Sequence, residues 1–126
     1  MPSAQPGPAV LLVDDTPSIR QFLLHALDRI VPWELVAVPD ATAALAVLAA
    51  RPVPLLIADY HLNDMRGDEL AAEAKAASPA TKVLLISADV GLDGDSPPPH
   101  VDGCLIKPFT LGALQAKVRE LIPVGM

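Results

Sequence analysis

The sequence predicts an α/β fold built on one open parallel sheet. Three observations predict it. Short, wholly apolar runs recur along the chain as VLLV, LLIA, VLLI and CLI, as strands buried on both faces should read. Between most of them lie stretches with apolar residues at helical spacing. Each run then stops at a polar residue of the kind that binds metal or phosphate: Asp14-Asp15, Asp59, Ser87 and Lys107. In an open parallel α/β sheet, ligands bind outside the carboxyl ends of the strands.

The elements follow in order. Residues 1–8 are rich in Pro, Ser, Gly and Gln and are expected to be a disordered tail. Residues 10–13 read as the first strand. Thr16 is a candidate N-cap with Pro17 at the first helical position. Ile19, Phe22, Leu23, Ala26, Leu27 and Ile30 then mark one helix face, which Pro32 closes. Residues 33–38 form the second strand, with Trp33 anchoring its edge. Asp40 caps a second helix over 41–50. Pro52 and Pro54 bracket a turn into the third strand, 55–58.

A polar loop, 59–66, leads to a third helix over 67–77 that ends at Ser78-Pro79, and Met65 is expected to pack under the loop. Residues 82–86 are the fourth strand and 104–106 the fifth. Thr110 caps a last helix that reaches about Leu121. The segment between Ser87 and Cys104 breaks the rhythm. A helix belongs there, yet Gly91, Gly94 and Pro97, Pro98 and Pro99 oppose one, so a mostly irregular loop is expected. Five strands in strand–helix alternation give a doubly wound sheet, and the flavodoxin-like order 2-1-3-4-5 is the common solution at this size. The domain is expected to cover 9–122.

Composition narrows the function. The chain has 126 residues, a single-domain length, and 52% are apolar, enough for a core of Ala, Val, Leu and Ile. A formal charge of −6 argues against a general nucleic-acid footprint. One cysteine, Cys104, excludes an internal disulfide and suits a reducing compartment. The richest apolar run, 41–50, is interrupted by Arg51, Pro52 and Pro54, and no stretch is long enough to span a bilayer. The N-terminus lacks a basic n-region and an apolar h-region, so a soluble cytoplasmic protein is expected.

The strand-end residues carry the chemistry. An acidic pair after a strand can simply cap the next helix. With order 2-1-3-4-5, however, the first and third strands are neighbours, and Asp59 joins Asp14 and Asp15. Three carboxylates in one cleft repel and need a counter-charge. Mg²⁺ fits, because it takes one or two carboxylates together with waters and phosphate oxygens. Lys107, ordinarily a solvated surface lysine, would supply a second positive charge; Pro108 fixes the backbone at that point.

At these residues the chain resembles the receiver domain of a two-component response regulator. The matching motifs are VLLVDD, LLIADYHLNDMRG, LLISA and LIKPF, spread over nearly all of 10–121. The resemblance implies that Asp59 accepts a phosphoryl group from a sensor histidine kinase or a phosphotransfer protein. It implies Mg²⁺ held by Asp15 and Asp59 directly, by the His61 backbone carbonyl, and by Asp14 through water. Ser87 would hydrogen-bond the phosphoryl group and Lys107 would ion-pair with it. The output would pass to an unidentified downstream protein, with no direct contact to nucleic acid or membrane. Such a domain catalyses only its own phosphorylation and dephosphorylation.

Three positions depart from the family pattern. Cys104 stands where an aromatic switch residue is usual, the following-helix region is altered, and Leu62-Asn63 replaces Met-Pro. These departures lead to the expectation that phosphorylation orders 90–103 instead of turning a ring. His61 reads as an exposed loop histidine, while Asp89 could repel or orient water. Competing readings are weaker. A haloacid-dehalogenase-type phosphatase would place a second acid two residues after Asp59, where His61 stands. A flavodoxin would not set Asp14-Asp15 against an FMN phosphate. A receiver-like scaffold that no longer uses phosphorylation would have no need of the acidic set and Lys107, while the altered segment after Ser87 leaves that alternative open.

Overall fold

The computed structural model describes residues 7–88 and 98–122. Of the expected tail, 1–6 lie outside the described residues, and of the irregular segment expected between Ser87 and Cys104, 89–97 do, Asp89 among them. The described chain runs β1 (Ala9–Val13), α1 (Pro17–Leu27), β2 (Glu34–Val38), α2 (Ala41–Ala50), β3 (Leu55–Asp59), α3 (Gly67–Ala77), β4 (Lys82–Ser87), β5 (Gly103–Ile106) and α4 (Leu111–Leu121). The five strands form one parallel sheet in the order β2-β1-β3-β4-β5. This is the order expected from the sequence.

Strand residues alternate between the two faces. Leu11, Val13, Leu56, Ala58, Val83 and Leu85 pack with Ala44, Leu70, Ala71 and Ala74 of α2 and α3. Val10, Leu12, Leu55, Ile57, Leu84 and Ile86 pack with Leu23 and Leu27 of α1 and with Leu114 and Val118 of α4. β1 and β3 are buried along their whole length. Each large aliphatic side chain removed from water there contributes about 1.5–3 kcal/mol. Asp14 and Asp59 thus stand at the ends of fully buried strands.

Two local expectations are corrected. Helix α1 ends at Leu27, before Ile30. Pro32 cannot donate to a helix and disfavours helical backbone just before it. The chain leaves the helix at Asp28, whose N–H donates to the Leu24 carbonyl, and turns through Arg29 at φ 70°. Ile30 is apolar because it packs on the core from this turn. Thr16 occupies the N-cap position, but its side chain caps nothing; its own N–H donates to Asp14 Oδ1 at 2.9 Å. Asp40 and Thr110 cap as expected, accepting from the Ala43 and Ala113 N–H groups.

Candidate functional site

The site forms where β1, β3, β4 and β5 end. β3 pairs with β1 through Ala58 and Val13 and with β4 through Asp59 and Ile86. β4 pairs with β5 through Ser87 and Ile106, and the Lys107 N–H donates to the Ser87 carbonyl at 2.8 Å. Backbone pairing therefore fixes Asp59, Ser87 and Lys107 side by side, although 28 and 20 positions separate them in the chain. The Lys107–Pro108 peptide is cis.

One carboxylate oxygen from each of Asp14, Asp15 and Asp59 lies within 4.8 Å of the others. Asp14 and Asp59 are buried and Asp15 is half-buried. Lys107 Nζ approaches Asp59 Oδ1 at 3.6 Å. Burial pushes the Asp14 carboxyl above its ordinary range. The negative charges of Asp59 and Asp15 push the same way, against the Thr16 N–H and the Lys107 ammonium. Asp14 Oδ2 is buried without a hydrogen-bond partner among the described residues. An orphaned anionic oxygen of this kind is costly. A hard cation would satisfy it, and an all-oxygen set of carboxylates is the donor chemistry that Mg²⁺ takes. The residues present therefore fit the ion that the sequence suggested.

His61 follows from the end of β3. It is exposed, its N–H makes a long 3.4 Å contact to Asp59 Oδ1, and its ring packs edge-on to Tyr60. Leu62 and Met65 turn inward against the core, so Met65 does pack under the loop. Cys104 is buried in the same cluster, on β5.

Four supporting residues had no clear sequence signal. Arg20 Nη1 donates to the Asp14 carbonyl at 2.7 Å and holds the turn after β1. Gly67 packs so tightly on the end of β3 that an added Cβ would lie 2.6 Å from the Asp59 carbonyl oxygen. Asp64 reaches the first turn of α2. Asp102 accepts from Lys75 Nζ and from the Val83 N–H, both at 2.8 Å, and so ties the approach to β5 to α3 and β4. The partnerships of Asp64 and Asp102 span distant parts of the chain, whereas those of Arg20 with Asp14 and Gly67 with Asp59 are short-range in sequence. Only Gly67, a glycine placed directly after the loop, could have been suspected.

Beside Lys107 an apolar hollow of about 550 Å³ is lined by Ile19, Phe22, Ala88, Pro108 and Phe109. The Phe22 and Phe109 rings meet at 5.9 Å between centroids. Among the described residues, no helix is long and apolar enough to cross a membrane.

Comparison with known proteins agrees with this geometry. The response regulator receiver domain family matches residues 10–119. The chain is 30% identical to the response regulator receiver protein CpdR of Brucella abortus, over 90% of this chain and 95% of that protein. It is 26% identical to the chemotaxis protein CheY of Pseudomonas aeruginosa, over 89% of this chain and 94% of that one. Among solved structures, the response regulator TrrA of Thermotoga maritima, in complex with Mg²⁺ and BeF, superimposes with a TM-score of 0.80 at 26% identity. That match covers 91% of this chain and 99% of the other. Family, relatives and site geometry converge: the chain belongs to the response regulator receiver domains, the phospho-accepting signalling modules of two-component systems.

Proposed function

We propose that Asp59 is the phosphoryl acceptor and that Asp14, Asp15, Asp59 and the His61 backbone carbonyl hold Mg²⁺. The observation that carries this is the position of Asp59. It ends a buried strand, within 4.8 Å of two further carboxylates and 3.6 Å from an ammonium. A nucleophilic carboxylate must be fixed, partly desolvated and flanked by positive charge when a phosphoryl group arrives.

In the reaction an Asp59 carboxylate oxygen attacks the phosphorus of a donor phosphohistidine. The new O–P bond forms as the N–P bond breaks, and its electron pair returns to the donor imidazole. Bound Mg²⁺ supplies neutralisation of charge on the phosphoryl oxygens. Lys107 offers a second positive charge to those oxygens, and the Ser87 hydroxyl a hydrogen bond. Asp14, buried beside the other two acids, would help to hold the ion. Chemistry beyond this self-phosphorylation and the hydrolysis that reverses it is not expected. The donor is a sensor histidine kinase or a phosphotransfer protein in the cytoplasm, and the apolar hollow beside Lys107 suits contact with it. A downstream protein reads the phosphorylated state, and residues 9–122 form the unit that folds around the site.

Intact mass after treatment with acetyl phosphate tests the assignment. Wild type should gain one phosphoryl group with Mg²⁺ and none with EDTA. Asp59→Asn should gain none. A folded Asp59→Asn variant that still takes the group at another residue would refute the assignment.

A further inference from the structure

The loop between β3 and α3 is fastened at both ends, braced by an antiparallel bridge between His61 and Arg66, and tied to α2 from its middle. At the ends, Asp59 closes β3, and the Gly67 N–H donates to the Tyr60 carbonyl at 2.7 Å. The middle attachment is Asp64. Its Oδ1 accepts the Ala41 N–H at 3.0 Å. Its Oδ2 accepts the Thr42 N–H at 3.0 Å and the Thr42 hydroxyl at 2.8 Å. These partners lie 22 and 23 residues away, at the start of α2.

The first turn of a helix leaves four N–H groups without intrahelical partners. In α2 the Asp40 side chain accounts for one of the four, because Ala43 donates to Asp40 Oδ1, and the intrahelical ladder starts with Ala44 donating to the Asp40 carbonyl. Two more, on Ala41 and Thr42, are taken by Asp64. The carboxylate also lies at the positive end of the helix dipole. The hydrogen bonds hold its carboxyl below the ordinary value, the Ala41 N–H most strongly, then the Thr42 hydroxyl and the Thr42 N–H. Asp64 thus remains an anion with three donors, in a loop with no helix or strand of its own.

Between this attachment and Asp59 lies His61, whose N–H faces Asp59 Oδ1. We propose that Asp64 is a positioning residue for the metal and acceptor site, a latch that fixes the His61 main chain relative to the Asp59 carboxylate by clamping the loop to α2. The inference rests on the proposed function above, in which that main chain contributes a metal ligand. Asp64 touches neither the metal nor the phosphoryl group; it acts through the loop.

The test separates latch from cap. Asp64→Ala frees the loop and two helix N–H groups. Asp40→Ala removes a cap from the same helix and leaves the loop attached. Asp64→Asn keeps an acceptor oxygen for one of the two N–H groups. For each, the Mg²⁺ concentration giving half-maximal phosphorylation by acetyl phosphate is measured together with the maximal rate. Amide exchange over 60–66 is followed in the same proteins.

Asp64→Ala should need about tenfold more Mg²⁺ for half-saturation, the scale of loss expected when a supporting partner of a metal ligand is removed. Asp64→Asn should fall between it and wild type. Asp40→Ala should melt earlier yet saturate with Mg²⁺ as wild type does. Exchange over 60–66 should rise in Asp64→Ala, less in Asp64→Asn, and not in Asp40→Ala. Wild-type saturation by Asp64→Ala, or an equal shift in Asp40→Ala, overturns the latch. If wild type takes no phosphoryl group, the proposed function fails; the latch is then judged by amide exchange, and unchanged exchange over 60–66 in Asp64→Ala overturns it separately.

Discussion

Lys107 Nζ stands 3.6 Å from Asp59 Oδ1, close enough for a strong charge interaction but beyond a good hydrogen bond. The lysine is three times as exposed as its partner, at 31% against 10% of side-chain surface. It is the positive charge that the acidic cluster carries in the described structure, and it competes with any cation the cluster binds. Unit charges about 4 Å apart interact by about 1 kcal/mol in water and about 4 kcal/mol near a protein surface.

Removing that charge should therefore separate metal binding from chemistry. Lys107→Ala should bind Mg²⁺ about tenfold more tightly in calorimetry, since 1.4 kcal/mol is a factor of ten. The same variant should accept phosphoryl groups at least about tenfold more slowly at saturating Mg²⁺, having lost one stabilising cation. Weaker Mg²⁺ binding by Lys107→Ala would mean that the lysine organises the site rather than opposing the ion.

Repulsion among Asp14, Asp15 and Asp59 should make the metal-free protein less stable than the fold alone requires. Asp14→Asn removes a buried charge and supplies an amide that can donate to a neighbouring carboxylate. In EDTA the variant should melt higher than wild type, by the equivalent of about 1 kcal/mol. Wild type should gain about 2.7 kcal/mol at a hundredfold excess of Mg²⁺ over its dissociation constant, and the variant much less. Identical melts with and without millimolar-range Mg²⁺ in wild type would remove the case for a metal site.

Asp102 offers a pH signature away from the site. Partial burial raises its pKa, but the hydrogen bond from Lys75, the Val83 N–H and the Lys75 charge outweigh it and hold the carboxyl below its ordinary 3.8. A lowered folded pKa stabilises the fold above the unfolded value, and that contribution is lost as pH falls through the folded pKa. Asp102→Ala should cost about 1–3 kcal/mol in denaturant unfolding at neutral pH. The gap between variant and wild type should narrow only below 3.8, as the wild-type carboxyl protonates. A gap that stays constant down to complete acid unfolding would show that the lost contribution is packing rather than charge.

Gly67 sets how closely α3 approaches the acceptor strand. A Cβ there would meet the Asp59 carbonyl oxygen at 2.6 Å, Leu85 Cδ2 at 2.8 Å and the Tyr60 Cα at 2.9 Å. Two of these are backbone atoms that cannot move without moving β3. Gly67→Ala should destabilise the protein by about 1–3 kcal/mol, the usual cost of overpacking. It should also slow phosphorylation more than a remote variant of equal stability loss. A wild-type phosphorylation rate in Gly67→Ala would show that α3 can shift without disturbing Asp59.

Much of this molecule was legible in its sequence. Continuous apolar runs such as 10–13 and 55–58 point to strands buried on both faces, because they are too short for a buried helix and are set off by Pro or Asp at their ends. Polar residues ending those runs then pointed to Asp14, Asp15, Asp59, Ser87 and Lys107, since the ends of parallel strands meet at one edge of the sheet. Those signals are local, and local patterns suffice for them. The end of α1 was not legible: Ile30 continues a helical apolar period, but the turn forced by Pro32 and made at Arg29 buries it from a different backbone. The Asp64 clamp on α2, the Asp102 tie to Lys75 and Val83, and the packing of Gly67 on Asp59 were decided only by the tertiary structure. Each depends on a distance of approach between separate elements, and neither periodicity nor composition encodes such a distance until the sheet has set the register that brings them together.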